Sequence, residues 1–239
     1  GVYVVYGLTV TGTQFIGNRA EGPAGHGGGL YASDVSARTV EATDFISNTA
    51  GGKGGGLYIN SGPLTLTHTR FISNTSYLWG GGARLEGGAT VVGSEFTSNH
   101  TISSTGGSGG GLWIGGIATV TGTAFTSNTS STDGGGLSTN SALTLTNSAF
   151  YSNTAAGRGG GAYFLSTATL GDAAFTDNTA AGSGGGAYFS GAATLQDAAF
   201  ADNTAADSGG GLFARASFVM TDTQLIRNRA ANGGGIYVS

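Results

Sequence analysis

The chain has 239 residues, of which 48 are glycine, with 38% hydrophobic residues, only 9% charged and a net charge of −4. So little charge excludes a solvated, self-repelling disordered chain, and the lack of a Gly-X-Y period excludes collagen. One lysine, Lys53, and scattered arginines leave no basic face for nucleic acid; no run of about 18 apolar residues crosses a membrane as a helix; and without cysteine neither disulfides nor thiolate metal sites form.

In chain order, a single unit recurs. Phe-x-x-Asn begins at Phe15, Phe45, Phe71, Phe96, Phe125, Phe150, Phe175 and Phe200, and Leu225 takes the ninth place. A glycine triplet follows each, the first ending at Gly29 and the last at Gly235. A fixed period of this length is the signature of a solenoid. Within a unit the apolar period is two. Leu57-Tyr58-Ile59 follows the glycines, then Leu64-Thr65-Leu66-Thr67, then Phe71-Ile72-Ser73-Asn74. Three short alternating runs separated by turn residues predict three strands per turn, and glycine triplets rule out a helical solenoid. The expected fold is an all-β, right-handed parallel β-helix of about nine coils of ~25 residues, forming one domain over residues 1–239. Its length is about 43 Å at the usual strand spacing.

Stacking the coils turns sequence positions into columns. Thr65 and its equivalents point outward and Leu66 and its equivalents inward. The Phe column stacks inside the core. The Asn column, Asn18 to Asn228, forms an amide ladder that fixes register. Three glycosylation triplets, at Asn74, Asn99 and Asn128, coincide with that ladder and are expected to be buried and unmodified.

The paired motifs resemble the repeats of chlamydial-type polymorphic outer-membrane proteins and related bacterial surface β-helices. Those repeats join Phe-x-x-Asn to Gly-Gly-Ala and an aliphatic residue. Gly81-Gly82-Ala83, Gly160-Gly161-Ala162 and Gly185-Gly186-Ala187 match, but Arg84, Tyr163 and Tyr188 stand where the aliphatic residue belongs. The resemblance implies a surface-exposed, often adhesive, passenger.

Two residues after each triplet lies an aromatic column, including Tyr31, Tyr58, Trp113, Tyr163 and Tyr188, with Arg84 and Ser138 interrupting it. Alternation turns this column outward, where it is either a platform for sugar rings or stacking that stabilises a sheet face. Insertions at 19–26 and 100–108 fall beside it, and a third coil places Tyr77, Leu78 and Trp79 at the same corner. Loops on a rigid frame are where function tends to sit. The ligand-binding candidates are therefore Tyr31, Tyr58, Tyr77, Trp79, Arg84, Trp113, Tyr163 and Tyr188. Asp172, Asp197 and Asp222 form one acidic column, and Asp177 and Asp202 another. They recur at the repeat period, as copied surface residues do, so neither catalysis nor a metal site is expected of them. His26, His68 and His100 occupy different repeat positions. No cofactor is expected.

The expected function is a secreted or cell-surface structural or adhesive scaffold of bacterial origin, without catalytic activity. The alternative is a carbohydrate-binding or carbohydrate-cleaving module. Minor alternatives are a self-assembling filament subunit and, from the outward Thr-x-Thr pairs, ice binding. The partners expected are a glycan or a protein on a host or neighbouring cell. The chain begins and ends at one phase of the coil, so it reads as a segment of a longer β-helix, with head-to-tail self-association as the other reading.

Overall fold

The structure is a computed structural model that describes residues 1–239. It contains no helix and forms a parallel β-solenoid of about nine turns. Every strand pairs in parallel with its counterparts one coil away. Thus Leu57 sits beside Leu30 and Ala83, and Phe71 beside Phe45 and Phe96. The first sheet runs from Val2–Val4 to Ile236–Val238, the second from Leu8–Thr11 to Phe218–Thr221 and the third from Gln14–Ile16 to Gln224–Ile226.

Where three strands per coil are expected, four sheets are present. The fourth has eight strands of two residues each, such as Thr75–Ser76, directly after the ladder asparagine. Its inward position takes Ala50, Ser76, Thr101, Ser130 or Ala155, all buried. The corner is too narrow for a large side chain, so no apolar alternation marks this strand in the sequence. Of 167 backbone hydrogen bonds, 102 involve turns and corners and only 65 are strand to strand, so the corners stack from coil to coil as the strands do.

One continuous cluster of 37 buried residues forms the core. Its spine is the phenylalanine stack from Phe15 to Phe200, with ring centroids 4.5–5.0 Å apart and planes within 1–8° of parallel. Leu66, Val91, Val120 and Leu145 fill the facing column. Beside the rings runs the asparagine ladder. Asn74 donates from Nδ2 to Phe45 O at 2.8 Å and to Asn99 Oδ1 at 3.0 Å, and Asn99 Oδ1 also accepts the Asn74 backbone N–H at 3.0 Å. Asn74, Asn99 and Asn128 are wholly buried.

Each coil turns at three left-handed corners. One follows the second sheet, as at His68 and Asp172 (φ 47° and 50°), and one the third, as at Ser73 and Asp177 (φ 54° and 57°). The last is the first glycine of the triplet, as at Gly54 (φ 65°). The second glycine of the triplet answers a different need. A Cβ on Gly55 would lie 2.7 Å from the Thr75 backbone, so neighbouring coils approach too closely there for any side chain.

Candidate functional site

The aromatic column does point away from the core, but it is not an exposed platform. Tyr58, Arg84, Trp113, Tyr163 and Tyr188 are all at least nine-tenths buried, and Tyr31 is half-buried. The cause is the left-handed glycine. At Gly54 the chain folds back so closely that a Cβ would lie 2.8 Å from Tyr58 Cβ. Where it is large, the residue before the triplet lies across the column, as His26, Lys53, Trp79 and Arg158 do. The Lys53 ammonium is 5.8 Å from the Tyr58 ring centroid and the His26 ring meets Tyr58 edge-on at 5.1 Å. The Arg158 guanidinium sits 5.0 and 5.1 Å from Tyr163 and Tyr188, held by Asp133 at 2.8 Å. Along the column the rings stack, Tyr31 on Tyr58 at 5.0 Å and Tyr163 on Tyr188 at 5.4 Å. The sequence reading missed the covering residues. Their signal was a second column, His26, Lys53, Trp79, Asp133 and Arg158, always just before the glycines.

Arg84 takes the place of a ring. Its guanidinium lies between Trp79 and Trp113, 4.3 and 4.0 Å from their centroids, and Nε donates to Glu86 Oε1 at 2.6 Å. Its Nη1 has no partner. Burial holds the Arg84 pKa below its ordinary value, and the Glu86 carboxylate offsets part of that fall. Tyr58 donates to Asn60 Oδ1 at 2.6 Å, and burial together with Glu86 pushes its phenol pKa up.

The two insertions flank the second and third coils and continue their hydrogen bonding. Gly52 N–H donates to Gly25 O, and Lys53 N–H to His26 Nδ1 at 3.1 Å. On the other side Ser103 N–H donates to Tyr77 O, and Gly106 lies against the Trp79 ring, where a Cβ would be 3.2 Å from Cζ2. The result is a saddle. Its floor is Gly51-Gly52-Lys53 and Tyr77-Leu78-Trp79, and its walls are the two insertions. Within it, Gly22, Pro23, Gly51 and Tyr77 line a shallow depression of about 360 Å³. Tyr77 is 51% exposed and Trp79 half-buried. These two are the site candidates that reach the surface here, whereas Tyr58, Arg84, Trp113, Tyr163 and Tyr188 form the covered seam.

The acidic columns have a conformational origin. Asp172, Asp197 and Asp222 occupy the left-handed corner that His68 and Asn147 fill in earlier coils, and Asp177 and Asp202 the corner after the third sheet. Asp tolerates that backbone better than most residues. Asp202 pairs with Arg227 at 2.7 Å, and that hydrogen bond lowers its carboxyl pKa. No three His, Asp or Glu side chains lie close enough to share a metal ion. The threonine column of the second sheet, Thr65, Thr90, Thr119 and Thr144 among them, is exposed. No helix is long and apolar enough to cross a membrane.

No family model, curated protein or solved structure matches the chain.

Proposed function

We propose that this chain is a non-catalytic, right-handed β-helix scaffold, displayed outside the cell or on its surface, that presents the saddle as an adhesive corner. The carrying observation is that the repeat is broken by two insertions and an aromatic cluster, all at one corner of adjoining coils. The rest of the rod is occupied with its own register. Buried asparagines satisfy one another, and left-handed positions account for the two acidic columns. The right-handed sense follows the strong preference of parallel crossovers. The resemblance of the paired motifs to bacterial surface β-helices supports the external location. Protease shaving of intact source cells tests that location: loss of the chain is expected, and full protection would refute surface display.

A glycan is the favoured partner because Tyr77 offers an exposed ring face beside an apolar depression, the arrangement on which a sugar's C–H face stacks. A glycan array tests it with the native chain, Tyr77→Ala and, from the covered seam outside the saddle, Tyr188→Ala. Binding that is lost with Tyr77→Ala and kept with Tyr188→Ala is expected. Equal binding by native chain and Tyr77→Ala would place the contact elsewhere.

A further inference from the structure

We infer that the saddle selects an acidic glycan, with one sugar ring on Tyr77 and the carboxylate of its neighbour on the Lys53 ammonium. The inference rests on the glycan-binding reading and adds the charge of the ligand. Lys53 is the only lysine of the chain and belongs to none of its ion pairs. Its ammonium is held over two rings, 5.8 Å from Tyr58 and 5.6 Å from Trp79.

The charges around it do not balance. Arg84 is the second cation of the cluster, and Glu86 is already engaged by Arg84 at 2.6 Å. Glu21 pairs with Arg19 at 3.2 Å. His26 accepts the Lys53 backbone N–H at Nδ1, so that nitrogen carries no proton. Two cations therefore share one carboxylate, on a chain whose net charge is −4. Burial and the nearby Arg84 both depress the Lys53 pKa, which means that an added anion here would be favoured.

Geometry links this charge to the exposed ring. Leu78 N–H donates to Gly52 O, and Gly54 N–H to Trp79 O, so Lys53 and Trp79 lie side by side on adjacent coils. Lys53 follows Gly51 by two residues, which puts its Cα within about 7 Å of the depression's floor. A unit on Tyr77 and a carboxylate on the next unit fit that span. Glycines at 51 and 52 leave the path between them free of side chains.

The test is calorimetric titration of the whole chain with an oligogalacturonide, its methyl ester, a neutral gluco-oligosaccharide and a poly-glutamate peptide. The variants are Lys53→Met, which keeps the stem and removes the charge, and Tyr77→Ala. Circular dichroism confirms that both fold. The uronide is expected to bind at least tenfold more tightly than its ester. Lys53→Met should erase that difference while leaving ester binding unchanged, and Tyr77→Ala should weaken both. Equal binding of uronide and ester, unaffected by Lys53→Met, overturns the acidic selectivity and leaves the glycan reading intact. Binding of no saccharide defeats both. Poly-glutamate binding as tight as the uronide, and insensitive to Tyr77→Ala, overturns the inference in favour of an acidic peptide.

Discussion

At the scale of single residues, the interior couples two kinds of ladder whose energetics differ. Phe150 stacks on Phe125 and Phe175 at 4.6 and 4.5 Å and is essentially unexposed. Phe150→Ala should cost about 3–5 kcal/mol as a large-to-small core substitution. The sequence alone suggests that the neighbouring asparagine matters less, but the structure raises its weight. Asn153 Oδ1 accepts both the backbone N–H and Nδ2 of Asn128, and its own Nδ2 donates to Phe125 O and Asn178 Oδ1. Asn153→Ala strands buried groups at about 1–3 kcal/mol each, a sum on the order of 5 kcal/mol. Urea denaturation should find the two variants similarly destabilised. A second residue-scale expectation concerns pH. Burial first, then Lys53 and Arg84, hold the His26 pKa below its ordinary 6.5, and burial does the same at His100. The unfolded chain therefore takes up protons before the folded one does. Stability is full above pH 6.5 and declines as pH falls from there through the lowered folded values. The melting temperature should drop between neutral and mildly acidic buffer, and His26→Gln with His100→Gln should flatten that drop.

At the scale of elements, the corners rather than the strands set the constraints. The strands are short and tolerant, with Ala, Leu, Ile and Phe alternating at one inward position of the first sheet: Ala32, Ile59, Leu85 and Phe164. Corners differ sharply from one another. A Cβ on Gly135 would lie 2.6 Å from Thr154 O and 2.7 Å from Thr154 N, both backbone atoms that cannot yield without separating two coils. Gly122, at φ 59°, would bring a Cβ no nearer than 3.9 Å to Gly93 N and carries only a conformational requirement. Gly122→Ala should therefore cost about 1–2 kcal/mol, and Gly122→Asn less, since Asn147 fills the equivalent corner. Gly135→Ala should cost several times more or abolish folding. Thermal melts of the three variants check the order. The small fourth strands belong to the same logic, because the tight asparagine turn leaves room inside for Ala155, Ser76 or Thr101 but nothing larger.

At the scale of the whole molecule, each coil touches only its neighbours, so stability is a sum of coil and interface contributions. Central coils have two covered faces. The first coil leaves Val2 and Tyr3 exposed at 48% and 61%, and the last leaves Met220, in the inward column of Leu195, at 38%. Amide hydrogen exchange should follow that gradient, with the Phe96 to Phe175 coils slowest and both terminal coils fastest. Uniform protection along this chain would contradict nearest-neighbour stacking. The same rigidity suits display. A saddle on adjoining coils inherits its shape from the register that the nine ladder asparagines share, so the insertions need not fold by themselves.

Period, the parallel stacking of coils, the interior phenylalanine column and the asparagine ladder were all legible in the sequence, because they repeat; the two-residue fourth strand was not, because its small inward residue shows no apolar alternation. Alternation decides inside from outside, and one residue per coil placed in register becomes a column by stacking alone. The left-handed corners were half-legible, as glycines and as Asp, Asn or Ser at fixed phases. What only the tertiary structure decided was the fate of the aromatic column. Alternation turned Tyr58 and Tyr163 away from the core, yet the chain reversal at Gly54 and its equivalents brought Lys53 and His26 back across Tyr58 and Arg158 across Tyr163. A period of two describes which side of a strand a residue takes, but not what another segment lays over that side. For the same physical reason Tyr77 kept its exposure: Gly51 and Gly22, the residues stacked next to it, have no side chains to cover the ring.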